Sequence, residues 1–177
     1  MEKKTMVKYF GFLMIIISCS LAGFVYAESL RKRVLELKEL ERALNHLQNE
    51  IFYTHTPLPE ALLNISKKGK YGFKDLFKDV ATDLKENKVK DVYESFQKNL
   101  EKHKKSLNIN EEDRNIILDL AKGIGESDIE SHMSIFSITL KNLQDQIEIA
   151  LEKSKKDMKV YRYLGISIGL MTVIFLI

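Results

Sequence analysis

SLRKRVLELKELERALNHLQNEIF, residues 29–52, sets Leu30, Val34, Leu37, Leu40, Leu44, Leu47 and Ile51 at steps of three and four. Those steps put one apolar stripe on an α-helix of about seven turns. Charged residues such as Glu36, Lys38, Glu39 and Arg42 fall off the stripe, so the helix is expected to bury one face and wet the other. The second half of the chain carries a matching stripe. Ile129, Met133, Phe136, Leu140, Leu143, Ile147, Ala150, Ser154 and Tyr161 keep a near-heptad step, with Asp157 as one interruption. Two such seams favour antiparallel, coiled-coil-like packing. No helix breaker lies between Asp128 and Gly165, so the last helix should run on uninterrupted.

Shorter amphipathic stretches lie between the two. Leu58, Ala61, Leu62 and Ile65 form the first, with Thr56 expected to cap it, Pro57 to occupy its first turn and Gly69 to close it. Phe73, Leu76, Phe77, Val80, Ala81 and Leu84 form the next, and Val89, Val92, Phe96 and Leu100 another. Ile116, Ile117, Leu120, Ala121 and Ile124 follow, with Asn110 as cap and Gly123 and Gly125 as the expected stop. Two prolines, eight glycines and no tryptophan in 177 residues leave few breaks. The fold class is therefore all-α, an antiparallel helical bundle with long first and last helices.

Both ends of the chain are apolar. Tyr9 to Ala27 follows Lys3, Lys4 and Lys8, and about 19 helical residues cover roughly 28 Å, close to the hydrocarbon thickness of a bilayer. An anchoring helix is the plainest reading. Val25-Tyr26-Ala27 also offers a signal-peptidase site before Glu28, and Ile16-Ile17-Ser18-Cys19 loosely fits a lipid-attachment box. Tyr163 to Ile177 is apolar throughout and follows Lys153, Lys155, Lys156, Lys159 and Arg162. A transmembrane helix at each end is expected, bounding three segments: residues 1–28, a helical bundle at 29–160, and residues 161–177. The basic cluster before the second run, with Arg31, Lys32, Arg33 and Lys38 after the first, places the bundle in the cytoplasm and both termini outside.

Catalytic chemistry is not indicated. The net charge of +3 comes from 28 basic and 25 acidic residues mixed along the chain, which disfavours a nucleic-acid groove. Cys19 is the single cysteine, so no intramolecular disulfide forms. His46 and Glu50 stand four apart, but no second histidine completes a metal site. Gly123-Ile124-Gly125 lacks the strand and further glycine of a dinucleotide loop. No enzyme, cofactor, metal or small-molecule substrate is expected. Candidate interaction features remain. One is the corner formed by Glu50, Tyr53, Pro57 and Leu58. Another is the small-residue pair Gly165 and Gly169, suited to close helix approach in lipid.

The corner Glu50-Ile51-Phe52-Tyr53-Thr54-His55-Thr56-Pro57-Leu58-Pro59-Glu60-Ala61 resembles a signature of the stage III sporulation protein AB family of endospore-forming bacteria. Leu120 to Asp128, with Gly125 and Asp128, resembles that family's turn before its last helix, although Ala121 stands where a glycine is expected. Tyr161-Arg162-Tyr163-Leu164-Gly165 with Gly169 resembles its carboxy-terminal anchor. The resemblance implies a helical domain similar to that of type II secretion F-type platform proteins. It further implies a place in the mother-cell membrane around the forespore, among other sporulation channel proteins and beside an ATPase-like cytoplasmic partner. A homo-oligomer is compatible with that role. The alternative is an exported, anchored or lipidated coiled-coil protein that binds an envelope partner.

Overall fold

The computed structural model describes the backbone of residues 2–126 and 129–176; side chains at 1–10, 12, 13, 16, 126–130, 162, 165, 166, 176 and 177 lie outside the description. Among the described residues six helices follow one another: α1 (Glu2–Phe52), α2 (Leu58–Lys68), α3 (Phe73–Lys85), α4 (Val92–Lys102), α5 (Glu111–Glu126) and α6 (Ile129–Leu176). The fold is all-α, and α1 and α6, at 51 and 48 residues, are the long elements. By Cα proximity the chain divides into one unit of residues 1–32 and 150–177 and a second of residues 33–149.

In the second unit α1 and α6 run antiparallel. Phe52 meets the ring of Phe136 edge-on at 5.9 Å, Gln144 Nε2 donates to Glu41 Oε1 at 2.8 Å, and Arg33 reaches Gln146. Partners thus fall in sequence on α1 as they rise on α6. Leu37, Leu40, Leu44 and Leu47 from the α1 stripe and Phe136 and Leu143 from α6 are fully buried. Helices α3 and α4 close the other side around Phe77, whose ring stacks near Phe73 (6.0 Å) and meets Phe96 edge-on (6.4 Å). Burying side chains of this size is the main source of stabilisation in such a bundle.

Several local expectations change. Thr56 does not cap α2. Its hydroxyl instead lies 2.8 Å from that of Thr54 and donates to Glu50, while Pro57 is the N-cap residue and Pro59 occupies the first turn. Gly123 lies inside α5, which ends at Glu126, one residue past Gly125, close to the expected stop. Val89 precedes α4, which starts after the Asp91 cap. Met133 is 54% exposed and is not a core position, whereas Glu36 and Glu39, read as wetted, are buried. Asn110 does cap α5: its Oδ1 accepts from the Asp113 N–H at 2.8 Å, and the Asp113 carboxylate accepts from the Asn110 N–H at 2.9 Å.

The expected transmembrane helices at the two ends are not met among the described residues, where no helix is long and apolar enough to cross a membrane. Much of the first apolar run lies outside the described side chains, so that expectation falls largely outside the described residues. The second run, about 15 residues, rises only about 22 Å against a hydrocarbon layer of about 30 Å. What the described residues of this unit do show is an outward-facing apolar surface. Leu21, Phe24 and Val25 on α1 and Tyr163, Ile168, Met171, Ile174 and Phe175 on α6 are exposed, Phe175 to 94%.

Candidate functional site

The corner between α1 and α2 is built by Glu50. Its backbone carbonyl accepts from the Thr54 hydroxyl at 2.6 Å and from the Thr56 N–H at 2.9 Å, and its carboxylate accepts from Thr56 Oγ1 at 3.1 Å and Asn64 Nδ2 at 3.2 Å. One residue therefore satisfies the end of one helix and ties it to the next. His55 adopts φ 51°, the left-handed conformation that lets the chain reverse within five residues. Pro57 supplies a carbonyl to the N–H groups of Glu60 and Ala61. Leu58 is half-buried against the bundle, while Tyr53 stands 77% exposed. Four of the sequence-selected residues, Glu50, Tyr53, Pro57 and Leu58, thus come together. Of the four, Tyr53 and Pro57 are exposed.

Gly125 lies elsewhere, at a groove of about 470 Å³ between the start of α4 and the length of α5. Asp91, Tyr93, Asn115, Asp119 and Lys122 give it a mixed polar wall. Asp91 is already engaged, since its Oδ1 caps α4 at the Glu94 N–H. A Cβ at Gly125 would meet Val92 at 3.6 Å, an ordinary contact, so close packing does not demand glycine there. Asp128 lies outside the described residues. Gly165 and Gly169 belong to the other unit; Gly169 is buried on α6, and the side-chain surroundings of Gly165 lie outside the description.

A set of buried carboxylates escaped the sequence reading. Arg33 on α1 makes a bidentate pair with Asp113 at 2.9 and 2.9 Å and also donates to Gln146 Oε1 at 3.1 Å, which ties α1, α5 and α6 together. The Asp113 side chain is fully buried. Glu36 receives the backbone N–H of Asn108 at 2.6 Å and its side-chain amide at 2.8 Å. Glu39 receives Arg42 and the backbone N–H of Lys70 at 2.9 Å. Each acid holds a connecting loop whose polar groups would otherwise be left unpaired. The only sequence signal was their position beside the stripe, which on most helices marks a solvated edge.

Between α3 and α4 a second polar seam forms. His103 Nε2 lies 2.8 Å from Asp79 Oδ2, Lys102 donates to the same oxygen at 2.7 Å, and Asp83 accepts from Lys98 and Asn99 at 2.9 Å each. Burial resists ionisation of both aspartates, but these hydrogen bonds outweigh it and hold both carboxyls below their ordinary value of 3.8. No nucleophile is placed against a base here, since Ser106 donates to the His103 carbonyl, not to its ring. Among the described residues no three His, Cys, Asp or Glu side chains gather as a metal site, and His46 is exposed on α1.

The sequence profile of the stage III sporulation protein AB family matches residues 8–177. The chain belongs to the stage III sporulation protein AB family. Stage III sporulation protein AB of Bacillus subtilis (strain 168) is 25% identical over 172 residues, which cover 97% of this chain and 99% of that one. A solved structure of stage III sporulation protein AB shares the fold, with a TM-score of 0.65 at 22% identity over 70% of this chain and 96% of that one. The family resemblance carried by the corner and the carboxy-terminal stretch is thus correct, and the chain is a sporulation protein of that family.

Proposed function

We propose that this chain is a non-enzymatic platform subunit of a sporulation-specific, secretion-like channel complex, seated in the mother-cell membrane around the forespore. The observation that carries the reading is the reversal of α1 and α6. Both are amphipathic with a buried apolar face in the bundle, and both turn their apolar side chains outward in the unit that holds the chain ends. A surface of that kind is stable only when something apolar covers it, and lipid is the covering that suits an unbroken helical wall. The basic residues beside it favour a cytoplasmic bundle with both termini on the far side. The bundle then offers Tyr53 and the α4–α5 groove to other channel proteins, among them an ATPase-like partner whose work would be passed along α1 and α6.

Deletion in a spore-forming host should arrest development after engulfment, and the protein should remain with membranes through alkaline carbonate washing. Crosslinking in sporulating cells should capture an ATPase-like neighbour through the bundle. Normal sporulation of the deletion strain would end the platform reading. A reporter at Lys104 that is active only outside the cytoplasm would point instead to an exported coiled-coil protein binding an envelope partner.

A further inference from the structure

Four lysines on α6, Lys153, Lys155, Lys156 and Lys159, sit in the unit that carries the apolar ends. All four are exposed, and none meets an acidic partner among the described residues. In the same unit α1 adds Lys32, exposed and equally unpaired, and Arg31, which approaches Glu28 at 3.8 Å. The only acids on α6 between residues 150 and 160 are Glu152, exposed, and Asp157, half-buried, so a net two positive charges remain on that stretch.

Their placement has a direction. Ala150 and Ser154 are buried, and the Tyr161 ring meets that of Tyr26 at a centroid distance of 4.3 Å, so this stripe is the inner side of α6. The lysines fall between the stripe positions and fan over the outer side. On α6 the exposed apolar surface begins immediately after them: Tyr163 follows Lys159 by four residues, about 6 Å along the axis. On α1 the order is inverted, with exposed Leu21, Phe24 and Val25 coming before Arg31 and Lys32. Because Tyr26 faces Tyr161, both helices carry their charge at the same end of the apolar surface.

We infer that this basic collar binds the anionic headgroups of a phospholipid bilayer, so that the chain selects a leaflet rich in acidic lipid. The inference rests on the membrane reading above and adds lipid selectivity to it. Burial of the apolar side chains is indifferent to headgroup charge, whereas ammonium groups within a Debye length of an acidic surface, about 8–10 Å at ordinary salt, are attracted to it. Each such group strengthens binding about fivefold, so the four α6 lysines together supply a preference of up to about six hundredfold.

The test mixes the full-length protein, diluted out of detergent, with vesicles of phosphatidylcholine alone or with 30% phosphatidylglycerol, and measures co-flotation at low and high salt. Partition into the acidic vesicles should exceed that into neutral ones by tens of times or more at low salt, and the excess should shrink at high salt. The variant Lys153→Gln/Lys155→Gln/Lys156→Gln/Lys159→Gln, with helicity checked by circular dichroism, should lose most of the excess while its partition into neutral vesicles is unchanged. Equal partition of the parent protein into both vesicles, or an undiminished preference in the variant, would overturn the collar alone. Failure to partition into either vesicle would overturn the membrane reading and the collar with it.

Discussion

Residues 33–149 and residues 1–32 with 150–177 share the same two long helices, yet they obey opposite rules. In the first, Leu37, Leu40, Leu44, Phe136 and Leu143 are buried, and the α1–α2, α2–α3 and α4–α5 connections are each held by a side chain. In the second, the large apolar residues are exposed, and the one ion pair among the described residues is Glu28 with Arg31. The helical backbone passes from one regime to the other at Lys32 and Ala150 without a break. Nothing in the geometry of an α-helix distinguishes inside from outside. What changes is which way the apolar side chains face, inward in the bundle and outward at the ends.

The contrast can be broken hardest within the bundle. Arg33→Met removes the cation paired with the fully buried Asp113 carboxylate, and should cost about 3–5 kcal/mol in denaturant unfolding. Pairing it with Asp113→Leu should restore a large part of that loss, because no buried charge is then stranded. Phe77→Ala empties the centre of the Phe73–Phe77–Phe96 cluster and should cost about as much, 3–5 kcal/mol. Gly72→Ala should cost about 1–3 kcal/mol. A Cβ there would fall 2.7 Å from Leu107 Cδ2 and 3.2 Å from the Ser106 carbonyl oxygen, and the backbone atom cannot turn aside.

The pH response sharpens the same comparison at smaller scale. Asp79 and Asp83 ionise below their ordinary value of 3.8 in the folded protein, so their stabilising contribution is complete above that pH. It is lost as the pH falls through their lowered folded values. Thermal melts should therefore hold level down to about pH 4 and fall below it, with a shallower fall in Asp83→Asn. The smallest stability effect is expected at the ends. Met171→Lys with Ile174→Lys should leave bundle unfolding within about 0.5 kcal/mol, since both side chains are exposed. The same pair should release the protein from membranes in a carbonate wash. A large loss of bundle stability would show that the two regions are not separate in their energetics.

The positions of the elements were legible from the first reading, because they depend on local periodicity. Steps of three and four place the helices around Leu58, Phe73, Phe96 and Ile117 to within a few residues, and the Asn110 cap follows from its own side-chain chemistry. The corner at Glu50 and Pro57 was also visible, and with it the family. Roles that depend on distant partners were not. Glu36 and Glu39 look like solvated edge charges until the loops at Asn108 and Lys70 fold over them. Arg33 gives no sign that its partners stand 80 and 113 residues away. Gly125 marks the end of α5 to within one residue yet leaves room for a Cβ, while Gly72, where packing is tight, carried no signal.

By itself the amino-acid sequence determined that the chain is helical, which faces are apolar, and that both ends are apolar with basic residues beside them. Those properties are carried by neighbours within one or two helical turns. Only the tertiary structure decided which polar groups are buried, which helices each acid joins, and where the apolar faces change from inward to outward. Burial and hydrogen-bond pairing depend on residues far apart in the chain, and no periodicity along it records them.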